Sequence, residues 1–172
     1  MRGVILAIAL GLAGCGAAPV YRDASAPISS AAAFDPVRYQ GTWYEVARFP
    51  VSFQEGCEGV TATYGLRPDG ALSVVNTCRD GSTERSVEGS ARITGPGRLD
   101  VKFNSVPFIS APYWVLWVDE DYRTAVVGVP SGRAGWVLNR DPVIPDDRWR
   151  AALEVLDFNG YDTTRLVRTP QP

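Results

Sequence analysis

From residue 41 onward, apolar and polar positions trade places every second residue in short bursts. Val60, Ala62 and Tyr64 alternate with Thr61 and Thr63. Leu72, Val74 and Asn76 repeat the pattern, and Leu99, Val101 and Phe103 alternate with Asp100 and Lys102. Period two places alternate side chains on opposite faces of a strand. The pattern predicts strands over 41–49, 59–66, 71–78, 84–93, 99–103, 113–118, 122–129 and 136–140. Turn chemistry separates them: Arg67-Pro68-Asp69-Gly70, Gly95-Pro96-Gly97 and Asp119-Glu120-Asp121. Eight strands at nearly even spacing form a meander, and a meander of eight can close on itself and so lose its edges.

After residue 140 the period changes. Asp141-Pro142 and Pro145 break the strand pattern, and Asp146 or Asp147 can cap a helix. Trp149, Ala152, Leu153 and Leu156 recur at helical spacing, Asn159-Gly160 stops the helix, and a short strand follows over 165–168. One apolar stripe means this helix packs on something. The expected fold is all-β: an eight-stranded antiparallel up-and-down barrel with one C-terminal α-helix packed outside.

The N-terminal region reads differently. A positive start, Met1-Arg2, precedes a short apolar run that ends in Leu12-Ala13-Gly14-Cys15. The run is too short for a stable membrane-spanning helix and reads as the core of a signal peptide over 1–14. Leu-Ala-Gly-Cys resembles the lipobox of bacterial lipoproteins. That resemblance implies cleavage before Cys15, acylation of Cys15 and, with Gly16 rather than Asp next, sorting to the outer membrane. An ordinary secretory signal that happens to carry a cysteine is the competing reading. Residues 15–33, rich in Ala and Ser, read as the lipidated cysteine and a flexible tether, and 34–172 as the folded domain.

Composition narrows the chemistry. Among 172 residues, 17 basic and 19 acidic side chains leave a net charge of −2 with no basic block, so nucleic acid is a poor partner. The chain has no histidine, which removes every His-dependent triad or general base and the commonest zinc ligand. No metal, cofactor or catalytic residue is expected. Of three cysteines, lipidation of one leaves Cys57 and Cys78, an even pair that suggests a disulfide in an oxidising envelope. Strict alternation turns Cys57 outward and Cys78 inward. The bridge therefore needs a bulge, which Gly56 and Gly59 permit.

Three separated stretches resemble the lipocalin family, and within it the bacterial and apolipoprotein-D-like branch. They are the Gly-x-Trp block around Gly41-Thr42-Trp43, the acidic-Tyr turn Asp119-Glu120-Asp121-Tyr122-Arg123, and Trp136-Val137-Leu138-Asn139-Arg140. The resemblance spans 34–170. It implies that Gly41, Trp43, Tyr122 and Arg140 are structural residues of a closed barrel end, with Arg140 lying across Trp43. Asp35 and Pro36 start a helical turn that plugs this end. Inward positions then follow by alternation: Glu45, Ala47, Ala62, Tyr64, Val74, Asn76, Val87, Phe103, Tyr113, Val115, Trp117, Val126, Gly128, Trp136 and Leu138.

Many of these are small or aromatic, which implies a cavity with apolar walls and a few polar groups. The expected cargo is a small hydrophobic molecule, a fatty acid or lysophospholipid. Its tail would lie inside and an anionic head outside, near Arg85, Arg79 or Arg133. Glu45, the one inward carboxylate of the reading, disfavours a buried carboxylate beside it. The resemblance implies a membrane-anchored carrier, held through acylated Cys15, acting as a monomer or weak dimer. An envelope structural or interaction lipoprotein without a dedicated ligand is the alternative. An enzyme is the least favoured reading.

Overall fold

A computed structural model describes residues 18–171. The expected signal peptide 1–14 and the expected lipidation site Cys15 lie outside the described residues. Nine strands occur among the described residues: β1 Gly41–Arg48, β2 Glu58–Leu66, β3 Leu72–Asp80, β4 Thr83–Gly95, β5 Arg98–Phe103, β6 Ala111–Val118, β7 Thr124–Gly128, β8 Gly135–Asn139 and β9 Val167–Arg168. Helix α1 covers Pro36–Tyr39 and α2 covers Asp146–Phe158. Each strand from β2 to β7 pairs antiparallel with the next, and β1 pairs with both β8 and β2. The sheet thus meets itself, and β9 adds beside β1.

The closed end is built as its chemistry demands. The Asp35 carboxylate accepts from the Val37 amide at 2.8 Å and caps α1, with proline in the first turn. Gly41 has φ +91°, and a Cβ there would come within 3.2 Å of Arg140 Nη1. Trp43 is fully buried and donates its indole N–H to the Tyr39 carbonyl at 2.9 Å. Arg140 lies 3.8 Å from the centre of the Trp43 ring. Its guanidinium donates to the carbonyls of Thr42, Arg38, Gln40 and Tyr122 at 2.9, 3.1, 2.8 and 3.2 Å. One side chain therefore ties α1, the start of β1 and the β6–β7 turn to the end of β8. Tyr122 sits at φ 57° and receives the Asp35 amide on its hydroxyl at 2.7 Å.

Two apolar clusters share the barrel wall. The inner one contains Trp43, Tyr64, Leu72, Val74, Leu99, Val115, Val127 and Leu138. The outer one joins Val46, Ala47, Leu116, Val126 and Val137 of the wall to Ala152 and Leu156 of α2. The helix stripe thus packs on the barrel's outside. Its N-cap is Pro145, with Asp146 and Asp147 in the first turn, so neither aspartate is the capping residue.

Residues 15–33 were expected to be a flexible tether, but from Tyr21 to Ala33 the chain is docked on the barrel. Tyr21 is 4% exposed, stacks on Phe49 at 5.0 Å, and donates its hydroxyl to the Pro50 carbonyl at 2.6 Å. Arg22 bridges to Tyr161 and donates to the Asn159 carbonyl at 2.7 Å. Further along, the Ala31 amide donates to the Val115 carbonyl at 2.8 Å. A low-complexity stretch can still dock when a few of its residues carry enough buried surface, and here one tyrosine and one arginine do so.

Arg140→Ala should lower stability by about 2–4 kcal/mol, because it removes four charge-assisted hydrogen bonds and a cation–π contact. Arg140→Lys should recover less than half of the loss, since an ammonium cannot span the four carbonyls. Urea unfolding midpoints measure both.

Candidate ligand-binding site

Seen along the barrel axis, inward residues grade from sealed to open. At the closed end Trp43, Tyr39, Leu72 and Leu99 are fully buried. Toward the opposite pole Ala62, Asn76, Val87, Phe103, Tyr113 and Trp136 are only half-buried. The packing is solid below, and the inward side chains above are only partly covered, so the upper barrel is its open half.

Three tyrosines meet at its floor. The Tyr64 hydroxyl donates to that of Tyr113 at 2.8 Å, and the hydroxyls of Tyr39 and Tyr113 lie 3.0 Å apart. Tyr113 also stacks on Trp136, with ring centres 6.3 Å apart. Burial raises the pKa of all three phenols, that of Tyr64 from 10.0 to about 12.

The charged groups inside the wall are matched. Glu45 is buried and accepts from Arg48 Nη1 at 2.9 Å, Gln54 Nε2 at 2.7 Å and the Thr169 hydroxyl at 2.7 Å. Arg48 further donates to Thr169 and to the carbonyls of Gln54 and Cys57. Both terminal nitrogens of its guanidinium are thus engaged, and its charge is paired with Glu45. Gln54 also receives the indole N–H of Trp136 at 2.9 Å, which draws the β1–β2 loop against the mouth. The C-terminal tail fills the gap where β1 and β2 part. Gly59 donates to the Pro170 carbonyl at 2.8 Å, and the Gln171 amide reaches the carbonyls of Glu45 and Val60 at 2.7 and 3.1 Å. In contrast, the Asn76 side-chain oxygen is buried without a hydrogen-bond partner. On the inward face of β3, it is an unused acceptor on the cup wall.

Cys57 and Cys78 form a disulfide with a Cα–Cα distance of 5.3 Å. The irregularity that the alternation demanded lies between Glu58 and Thr61 and contains Gly59 at positive φ, with Gly56, also at positive φ, just before Cys57. Arg85 sits over this bridge at the rim, exposed, with an ion pair to Asp80 at 3.2 Å.

Several expected inward positions face the other way. Ala47 is in the outer cluster, because β1 bulges between Glu45 and Ala47. The same bulge turns Arg48 inward beside Glu45. Trp117 also lies outside, because β6 bulges between Val115 and Trp117. With Leu116, Val155 and Phe158 it lines an external groove of about 510 Å³ beside α2. Val126 and Gly128 point outward too, leaving Ala125 and Val127 to line the interior. Every residue of β7 is buried, so no polar alternation marked its faces. Glu45, Ala62, Tyr64, Val74, Asn76, Val87, Phe103, Tyr113, Val115, Trp136 and Leu138 stand on the inward face as expected. Of these Tyr64, Val74, Val115 and Leu138 belong to the sealed packing. Arg48, Gln54, Thr169 and Gln171 were missed. A buried Glu45 needing a cation was the one sign that pointed to Arg48.

A closed antiparallel barrel with one plugged pole and a mostly apolar cup at the other is the architecture of a carrier for small hydrophobic molecules. The chain matches the model of the lipocalin-like domain over residues 34–171. It is 39% identical over 142 residues to "Outer membrane lipoprotein Blc" of Escherichia coli, covering 81% of this chain and 80% of that one. It is 37% identical over 144 residues to "Temperature-induced lipocalin-1" of Arabidopsis thaliana, covering 78% and 77%. Identity to bovine apolipoprotein D is 34% over 149 residues, covering 80% and 77%. Among solved structures, insecticyanin of the tobacco hornworm superposes with a TM-score of 0.71 at 16% identity over 89% of each chain. The cockroach allergen Per a 4 superposes with 0.69 at 19% identity, over 87% and 97%. The chain belongs to the lipocalin family.

The buried phenols set a pH limit. Folding holds them neutral, so their contribution is complete below pH 10, where the unfolded phenol begins to ionise. It is lost as pH rises through the folded value, about 12 for Tyr64. Stability should therefore fall between pH 10 and 12, and Tyr64→Phe should make the fall shallower. Phenolate absorbance and urea midpoints across that window check the sign.

Proposed function

We propose that this lipocalin binds fatty acids or lysophospholipids in the upper barrel and holds them at the cell envelope through an acylated Cys15. The observation that carries the reading is the gradient along the axis, sealed by Trp43 and Tyr39 below and half-open around Phe103, Val87 and Trp136 above. An acyl chain entering this cup sheds its hydration at about 0.8 kcal/mol per buried CH₂, before ordering costs. Binding needs no bond-making step. The Glu45–Arg48 pair is neutral as a unit and does not repel an apolar tail. With the Arg48 charge paired to Glu45, an ionised head belongs at the rim, near Arg85, Arg79 or Arg133. The disulfide uses both thiols of the barrel, which speaks against a thiol enzyme. Leu12-Ala13-Gly14-Cys15-Gly16 and the outer membrane lipoprotein among the relatives support the envelope location.

Asn76 offers a handle on head-group preference. A lysophospholipid carries a glycerol hydroxyl that can donate to the vacant Asn76 oxygen, whereas an ionised fatty acid has no donor. Asn76→Leu should weaken lysophospholipid binding about tenfold and leave fatty-acid binding within about twofold, one unpaired hydrogen bond being worth that much. Tryptophan-fluorescence titrations with both ligands measure it. Failure of either ligand to bind the wild-type chain at submillimolar concentration would refute the reading.

A further inference from the structure

Val37, Leu66 and Val143 are exposed singly around the plugged pole and Phe158 at the end of α2, but two loops at the other pole bring four large apolar side chains together. Phe108 is 99% exposed, Phe53 70%, Ile109 64% and Val106 45%. Phe53 stands in the β1–β2 loop, and the other three stand in the β5–β6 loop. In an up-and-down barrel both loops lie at the pole opposite α1, so these four residues flank the mouth. A soluble protein gains nothing by holding a phenylalanine wholly in water, and such clusters mark interaction surfaces.

A second, independent observation says which surface they meet. The docked N-terminal segment leaves the barrel at the same pole. Tyr21 is fixed to Gly132 of the β7–β8 loop and to Pro50 of the β1–β2 loop, and Arg165 donates to the Val20 carbonyl. Only four residues separate Val20 from Cys15, five Cα–Cα steps and a reach of about 17 Å when fully extended. A strand of eight residues is about 27 Å long. An anchor at Cys15 therefore holds the mouth, not the plugged end, against the bilayer.

We infer that the mouth rim is a membrane-docking surface, with Phe53, Val106, Phe108 and Ile109 entering the acyl region so that the cup opens onto the lipid from which its ligand comes. The inference rests on acylation of Cys15 for its orientation. Charge does not drive it, because the rim carries both signs: Arg79, Arg85 and Arg133 beside Glu55, Asp80 and Glu84. Docking should accordingly persist in high salt, unlike binding through a basic patch.

The test uses the full chain purified from membranes and reconstituted into phosphatidylethanolamine–phosphatidylglycerol vesicles. Cys15 is blocked by acylation and Cys57 is bonded to Cys78, so a cysteine placed by Ile109→Cys is the one reactive thiol for an environment-sensitive dye. Val143→Cys, exposed beyond β8 at the plugged pole, is the control. Nitroxide lipids should quench the dye at 109 about threefold or more beyond that at 143, in low and high salt alike. Intact mass shows whether the chain carries acyl groups. An unacylated chain overturns the anchor and the tethered orientation with it. An acylated chain with equal quenching at both positions overturns the docking surface and leaves the anchor standing.

Discussion

Closure of the barrel rests on β1, and β1 rests on Arg140. A sheet of this length keeps two reactive edges unless its first and last strands meet, and β1 closes the ring by pairing with β2 on one side and β8 on the other. The guanidinium of Arg140 fixes where it starts, gathering four carbonyls from three segments around the face of Trp43. Because that end is solid, the opposite end can stay open. A cup needs a floor, and the floor is made by the residues that pack against the clamp: Tyr39, Tyr64 and Tyr113.

The open end is governed by a second constraint, that no charge be left alone in the wall. Glu45 would oppose an apolar guest and destabilise the barrel if unpaired. The bulge in β1 answers it by turning Arg48 onto the same face, and Gln54 and Thr169 complete the acceptor's needs. The same residues fasten the β1–β2 loop and the C-terminal tail to the mouth. One buried ion pair therefore shapes the entrance as well as the wall. Among the described residues two side-chain oxygens in this region, those of Asn76 and Gln171, are buried without a partner.

Much of this was legible in the chain. The strand count, the outer helix, the Asp35–Pro36 turn and the closed-end quartet follow from period, turn residues and the resemblance of three short blocks. What failed did so for definable reasons. Alternation carries across a strand until a bulge adds a residue, and then every later position changes face. Ala47 and Trp117 were misplaced in this way. In β7 both faces are buried, one by the barrel interior and one by the outer packing, so composition could not separate Val126 from Val127. Residues 21–33 looked like a tether because small side chains dominate, yet Tyr21 and Arg22 dock one end and backbone and serine contacts at Ser29, Ser30 and Ala31 hold the rest. The disulfide shows the reverse: parity forbade it without a bulge, and the bulge is present.

The central claim is that the upper barrel encloses an acyl chain. Native mass spectrometry of the protein released gently from its host membrane tests it most directly. The account predicts a population carrying one lipid per chain, whose tail protects Trp136 and Phe103 from solvent and which is lost when the cup is filled by Ala62→Phe. A chain that emerges uniformly empty, and stays empty after incubation with acyl lipids, would contradict it.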